Sequence, residues 1–169
     1  MSAIWSTALS RDQLLELRAV SGELPVAELP RVQAVTVPGS GVISVKLEFT
    51  GQDGLVLVDG QLGGQVFVLC QRCLEPVALE INNTIRLALS EADEAQSVPN
   101  DYEAVYAGAD GVVLQELVED EILLSVPLSA RHRSDQCGAL ARQLKDMGTS
   151  QPESSTPFAG LDELLKKRN

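Results

Sequence analysis

Residues suited to chemistry are scarce in this chain. Among 169 residues there are three cysteines, one histidine and six aromatic side chains. With His132 as the single imidazole, a Ser-His-Asp site has one candidate base, and no Gly-x-Ser-x-Gly elbow occurs. Gly60-Gln61-Leu62-Gly63-Gly64 lacks the Lys-Ser or Lys-Thr ending of a phosphate loop. Scattered aromatics do not build the stacking platform of a single-strand binder. Three cysteines are an awkward count for a disulfide framework. The longest unbroken apolar run is five residues, Val66 to Cys70, whereas a membrane span needs about 20. The first basic residue is Arg11, so a secretory signal is not expected. The expectation is a cytosolic protein, off the membrane, with thiols reduced or metal-bound and no catalytic residues.

Positive charge is also in short supply. Thirteen Lys and Arg against 24 Asp and Glu leave a net charge of −11 and a pI near 4.4. Residues 70–130 carry two basic and twelve acidic groups, and from Leu87 to Ala130 there is no Lys or Arg. A protein that grips nucleic acid by its phosphates needs a basic face. Direct RNA contact is therefore not expected through residues 87–130. The plain reading of such a run is a solvated face.

What is present suffices for one core. Apolar residues make up 44% and charged residues 22%, with mean hydropathy +0.05, which excludes global disorder. One α+β domain is expected over residues 1–146, then a linker over 147–157 and a short amphipathic segment over 158–169. Ile4 to Leu9 reads as a short strand. Ser10-Arg11-Asp12-Gln13 has the form of a capping box, opening a helix through Leu14, Leu15, Leu17 and Val20 that Gly22 and Pro25 should end. Val32 to Val37 is β-branched and reads as a strand. Val42 to Phe49 alternates apolar with polar, and further strands follow over Leu55–Val58, Gln65–Cys70 and Val77–Leu89, joined by Gly-rich turns. Short connections predict an antiparallel meander, either an open sheet or a partial barrel. Glu91 to Ala109 reads as an acidic loop. Leu114, Leu117, Val118, Ile122 and Ser125 share one face of a helix over 112–125, packed on the sheet and ended by Pro127. On that wheel Glu121 falls inside the apolar stripe and Glu116, Glu119 and Asp120 outside it. A carboxylate there bends to water or pairs with Arg72 or Arg86.

The sharpest local feature is Cys70-Gln71-Arg72-Cys73, placed where one strand ends and the next begins. Two sulfurs three positions apart on a hairpin knuckle can both turn inward, as in zinc ribbons. The remaining Cys and the single His lie together in His132-Arg133-Ser134-Asp135-Gln136-Cys137. Cys70, Cys73, His132 and Cys137 thus make one Cys₃His set, a candidate structural zinc site. Buried thiols packed as small apolar residues are a second reading. A redox dithiol is a third and the weakest, because Leu74-Glu75-Pro76 leads into a strand and not into the helix N-terminus that lowers such thiol pKa values. The chain's last segment offers Phe158, Leu161 and Leu165 on one helical face, with Lys166, Lys167 and Arg168 at its end. Those residues are candidates for partner binding as a helix laid in a groove, or for covering the chain's own apolar surface.

Taken together, Leu69-Cys-Gln-Arg-Cys-Leu-Glu-Pro-Val77, Glu116-Leu-Val-Glu-Asp-Glu-Ile-Leu-Leu-Ser-Val-Pro127, His132 and Pro157-Phe-Ala-Gly-Leu-Asp-Glu-Leu-Leu165 resemble the bacterial large ribosomal RNA subunit accumulation protein family (YceD-like). Arg72, Pro76, Glu119, Asp120, Glu121 and Pro127 fall within those motifs. The resemblance implies a non-enzymatic role in producing or stabilising the large-subunit (23S) ribosomal RNA. Ribosomal proteins or ribosome-assembly factors are the expected partners, met by an acidic body. A thiol oxidoreductase using Cys70 and Cys73, and a zinc delivery or sensing module, are the alternatives.

Overall fold

A computed structural model describes residues 3–38, 41–90, 98–108, 110–133, 137–138 and 143. The chain divides into two compact units, Met1–His132 and Arg133–Asn169. The linker and terminal segment expected over 147–169, including Phe158, Leu161, Leu165, Lys166 and Lys167, lie outside the described residues.

The first unit is α+β, as its patterning predicts. Helix α1 (Ala3–Ser6) and strand β1 (Ala8–Leu9) precede helix α2 (Arg11–Leu17), and strand β2 (Ala19–Pro25) follows. A 3₁₀ turn (Val26–Glu28) leads to helix α3 (Pro30–Gln33). The long strands β3 (Val42–Gln52), β4 (Leu55–Leu69) and β5 (Pro76–Ser90) come next, then β6 (Glu103–Tyr106), β7 (Val112–Val113) and helix α4 (Leu114–Ser125). Five strands form one open sheet in the order β2-β3-β4-β5-β6, antiparallel except for β6, which runs parallel to β5. β1 and β7 make a separate two-stranded ribbon. Among the described residues no helix is long and apolar enough to cross a membrane.

The register follows from turn chemistry. Gln52 pairs with Leu55 across a loop of only Asp53 and Gly54, both at positive φ (48° and 87°), the conformation a twisted two-residue hairpin demands. From there the period-2 pattern sends Ile43, Val45, Leu47 and Phe49 inward and leaves Ser44, Lys46 and Glu48 outside. Val56, Val58, Leu62 and Val66 of β4, with Ile81, Ile85, Leu87 and Leu89 of β5, complete the same face. Leu114, Leu117, Val118 and Ile122 of α4 cover it, joined by Trp5, Leu14 and Leu29. On the opposite face, Leu55, Leu57 and Ala88 form a small cluster against Val98 and Tyr102.

Several expectations are corrected. Ile4 belongs to a helix, not a strand, and that helix buries Trp5 against Gly22. The capping box is present: Gln13 N–H donates to Ser10 Oγ (3.4 Å) and Ser10 N–H to Gln13 Oε1 (2.8 Å). Yet the helix ends at Arg18, at φ 60°, well before Gly22 and Pro25, which lie in β2. Pairing with β3 supplies a full ladder of backbone hydrogen bonds, and that outweighs a further helical turn. Val32 to Val37 forms no strand. Pro30 opens α3 and fully buried Val32 sits within it. The acidic stretch expected as a loop over 91–109 contains β6, and the expected helix begins two residues later than 112 because β7 takes Val112–Val113.

On α4 the buried acid is Glu119, which the helical wheel places outside the apolar stripe. Glu119 is 1% exposed, and its Oε1 accepts the Arg31 N–H at 2.8 Å, satisfying an open donor at the start of α3. Beside it, Arg31 pairs with Asp120 at 2.6 Å in the open. Glu121 is only half-buried. Burial, with the charges of Glu103 and Asp120, pushes its carboxyl above the usual carboxylate range. Because the folded value exceeds the unfolded one, ionising this group costs stability at and above its folded value, and the cost vanishes below the unfolded value. Glu121→Gln is expected to raise the melting temperature at pH 7, with the gain shrinking as pH falls through the carboxylate range. Solvent screening holds the gain below about 1 kcal/mol. A gain that is the same at pH 3 and pH 7 would refute the assignment.

Candidate metal centre

Strand β4 stops at Leu69 and β5 resumes at Pro76, so six residues make the knuckle. Cys70 N–H donates to the Glu75 carbonyl and Leu74 N–H to the Cys70 carbonyl, each at 2.9 Å. The turn closes only because Leu74 takes φ 59°, the left-handed region that a side chain opposes by about 1–2 kcal/mol. Leu74 is 63% exposed, so its side chain gives little burial in return. Leu74→Gly should therefore stabilise by about 1 kcal/mol, raising the melting temperature by about 2–4 °C. An unchanged or lower value in a thermal melt would contradict that backbone geometry.

The other half of the site comes from the segment after α4. Ser125 and Glu121 hold the end of the helix to the sheet: Asn83 Nδ2 donates to the Glu121 carbonyl at 3.1 Å and contacts Ser125 Oγ. The chain then crosses Pro127 and reaches Ala130, whose carbonyl accepts the Gln71 N–H at 2.9 Å. That bond lays His132 over the knuckle. His132 Nδ1 lies 3.4 Å from Cys73 Sγ, while Nε2 lies 3.1 Å from the Pro76 carbonyl oxygen. A carbonyl only accepts, so Nε2 carries the proton and Nδ1 faces the sulfur.

Cys70, Cys73, His132 and Cys137 offer one ligand atom each, and these atoms all lie within 4.8 Å of one another. They are close enough to bind a metal ion. The three cysteines are buried thiols and form no disulfide. Burial, the largest influence on the Cys70 thiol, raises its pKa. The backbone N–H groups of Arg72, His132 and Cys73 and the Cys73 side chain together outweigh it and lower the pKa to about 5. The thiolate is the form that binds metal. Cys73 Sγ also approaches Glu75 Oε2 at 4.0 Å.

The model of the family described as Large ribosomal RNA subunit accumulation protein YceD matches residues 58–165. The chain belongs to the YceD family. It is 33% identical over 119 residues to the Large ribosomal RNA subunit accumulation protein YceD of Haemophilus influenzae, a match covering 67% of each chain. No solved structure gives a significant match. The YceD match begins within β4 and takes in the knuckle, α4, His132 and Cys137.

Within the YceD match, the structure sorts the motif residues. Pro76 presents its carbonyl to His132, and Arg72 sits partly buried on the knuckle. Glu119 anchors α3, Asp120 holds Arg31, and Pro127 is exposed on the path from α4 to the knuckle. Sequence reasoning missed the Pro76 and Ala130 carbonyls, since backbone acceptors leave no compositional mark. It named Glu119 as a motif residue but placed it outside the buried stripe, because α3, the element that needs its carboxylate, reads locally as a strand.

Proposed function

We propose that this chain is a non-enzymatic ribosome-biogenesis factor. It supports the synthesis, processing or accumulation of large-subunit ribosomal RNA in the cytoplasm, through contacts with ribosomal proteins or assembly factors. Membership of the YceD family carries the reading. Net charge supports the mode of action: at −11, long-range attraction steers basic proteins toward this chain and repels bare phosphate backbones. Burial of all three thiols favours a structural role for the Cys–His cluster over thiol exchange, which needs an accessible sulfur. A metal ion such as zinc held there would belong to the scaffold and not to a reaction.

Sedimentation of ribosomes from cells depleted of the protein tests the reading. Depletion should lower the ratio of large to small subunits, and Cys70→Ala re-expressed at a folded level should be judged by the same ratio. A normal ratio in depleted cells would overturn the proposal. Restoration of the ratio by a folded Cys70→Ala protein would argue against thiol chemistry at that residue.

A further inference from the structure

We infer that the open edge of β2 is a docking site for an extended, basic segment of a partner protein, which adds to the sheet as a further strand through main-chain hydrogen bonds at Ala19, Ser21 and Glu23. The kind of partner rests on the ribosomal reading above, whereas the free edge rests on strand register alone.

Register fixes which groups are free. Along one edge of an antiparallel strand, alternate residues turn their N–H and C=O toward the neighbour or away from it. Two bonds bracket β2 and set the phase: Phe49 N–H donates to the Arg18 carbonyl at 2.7 Å, and Val26 N–H to the Gly41 carbonyl at 3.1 Å. Both fall on the same alternation as the pairs Val20–Leu47, Gly22–Val45 and Leu24–Ile43. Val20, Gly22 and Leu24 therefore bond to β3, and Ala19, Ser21 and Glu23 turn their backbone groups to the other side. All three are exposed, and among the described residues no strand pairs with that side of β2.

The row of free groups has a defined length. Pro25, next in the outward series, has no N–H, so the row closes after three donors. Short extended segments add to such edges, with main-chain bonds giving affinity and alternate side chains giving selectivity. The opposite edge of the sheet, β6, offers four residues against seven in β2.

Charge selects the occupant. Glu23 is the one charged residue of β2 and stands exposed on the outer face. One strand further in, Lys46 opposite Ser21 and Glu48 opposite Ala19 offset each other. With a net charge of −11, the chain attracts a basic strand and repels a second copy of itself, and a charge on a bare edge discourages self-pairing. Side chains of an added strand alternate between Ser21 and Glu23 on the outer face and half-buried Val20 on the core face. The matching sequence alternates basic with apolar residues.

Residue-resolved hydrogen exchange on the full-length protein, with the peptide Lys-Val-Lys-Val-Lys-Val-Lys as probe, tests this. In the free protein the amides of Ala19, Ser21 and Glu23 should exchange at least about 100-fold faster than those of Val20, Gly22 and Leu24. Saturating peptide should slow the first three by at least about tenfold and leave the second three unchanged. The same peptide with Glu in place of Lys should bind at least about tenfold more weakly. Ser21→Pro removes a donor that β3 does not use, so it should keep the β2–β3 ladder and the melting temperature while weakening peptide binding by at least about tenfold. If that variant does not fold, Glu23→Lys serves instead, and should weaken the basic peptide and tighten the acidic one. Slow exchange at Ser21 in the free protein, no protection by the peptide, protection at other amides only, or undiminished binding to a folded Ser21→Pro protein would overturn the inference. So would protection that grows with protein concentration alone, the mark of a second copy. Failure of the peptide together with a lowered large-subunit ratio on depletion would leave the ribosomal reading standing on another surface. Protection by the peptide with a normal ratio would do the reverse.

Discussion

Gly64→Ala is expected to cost about 2–3 kcal/mol and lower the melting temperature by roughly 4–12 °C. Gly64 lies on the core face of β4, opposite Ile43. A Cβ there would stand 2.5 Å from the Val42 carbonyl oxygen and 2.9 Å from Ile43 Cδ1. The side chain of Ile43 can rotate away, but the Val42 carbonyl belongs to the backbone where β3 also pairs with Pro25 of β2. Moving it disturbs two strand pairs at once. The reduced freedom of the unfolded chain returns only about 0.4–1 kcal/mol. Gly63→Ala is the control, since its Cβ would meet only Ser44 Oγ at 3.1 Å on the outer face, a hydroxyl that can turn aside. The two variants should differ clearly in urea midpoint with equal slopes. Equal midpoints would show that the β3–β4 contact has slack at this position.

Glu119→Ala should be the other severe change, at about 2–4 kcal/mol. The carboxylate is fully buried and accepts the Arg31 N–H, and losing the acceptor leaves that donor unsatisfied at about 1–3 kcal/mol. A void in place of the side chain adds to this. Glu119→Gln retains a side-chain oxygen in the same place and should recover most of the loss. Asp120→Ala removes only an exposed partner of Arg31, and such pairs contribute about 0–1 kcal/mol. Urea denaturation of the three variants gives the ordering. If Glu119→Ala and Asp120→Ala prove equivalent, the buried carboxylate is not what holds α3.

Both positions belong to parts of the fold that local pattern does not reveal. Strands β3 and β5, the Asp53-Gly54 hairpin, the capping box and the body of α4 are legible along the chain, because each depends on residues within a few positions, whereas β4 reads as two strands over Leu55–Val58 and Gln65–Cys70 but runs unbroken over Leu55–Leu69. Two-residue alternation, positive φ at a turn and 3.6-residue spacing are short-range properties. The knuckle is legible for the same reason, as two cysteines flanked by strands. That all four metal-ligand candidates are used up in one Cys₃His set is a matter of composition, so the sequence alone nominates the set.

Tertiary structure decided the rest. Val32 has strand propensity, yet it lies in a helix whose first turn is capped by a carboxylate 88 residues away. On a wheel Glu119 lies outside the apolar stripe and Glu121 within it, yet Glu119 is the buried one, settled by where α3 meets α4, an arrangement with no local signature. β6 pairs in parallel with β5, a choice that hydrophobic period cannot express. The 58 residues between Cys73 and His132 likewise gave no measure of their separation. Propensity and period act over single turns, whereas burial, pairing partner and ligand geometry depend on which distant segments share the core. For this protein the residue types determined what chemistry was available, and the packing of α4 and its following segment on β4 and β5 determined where it could assemble.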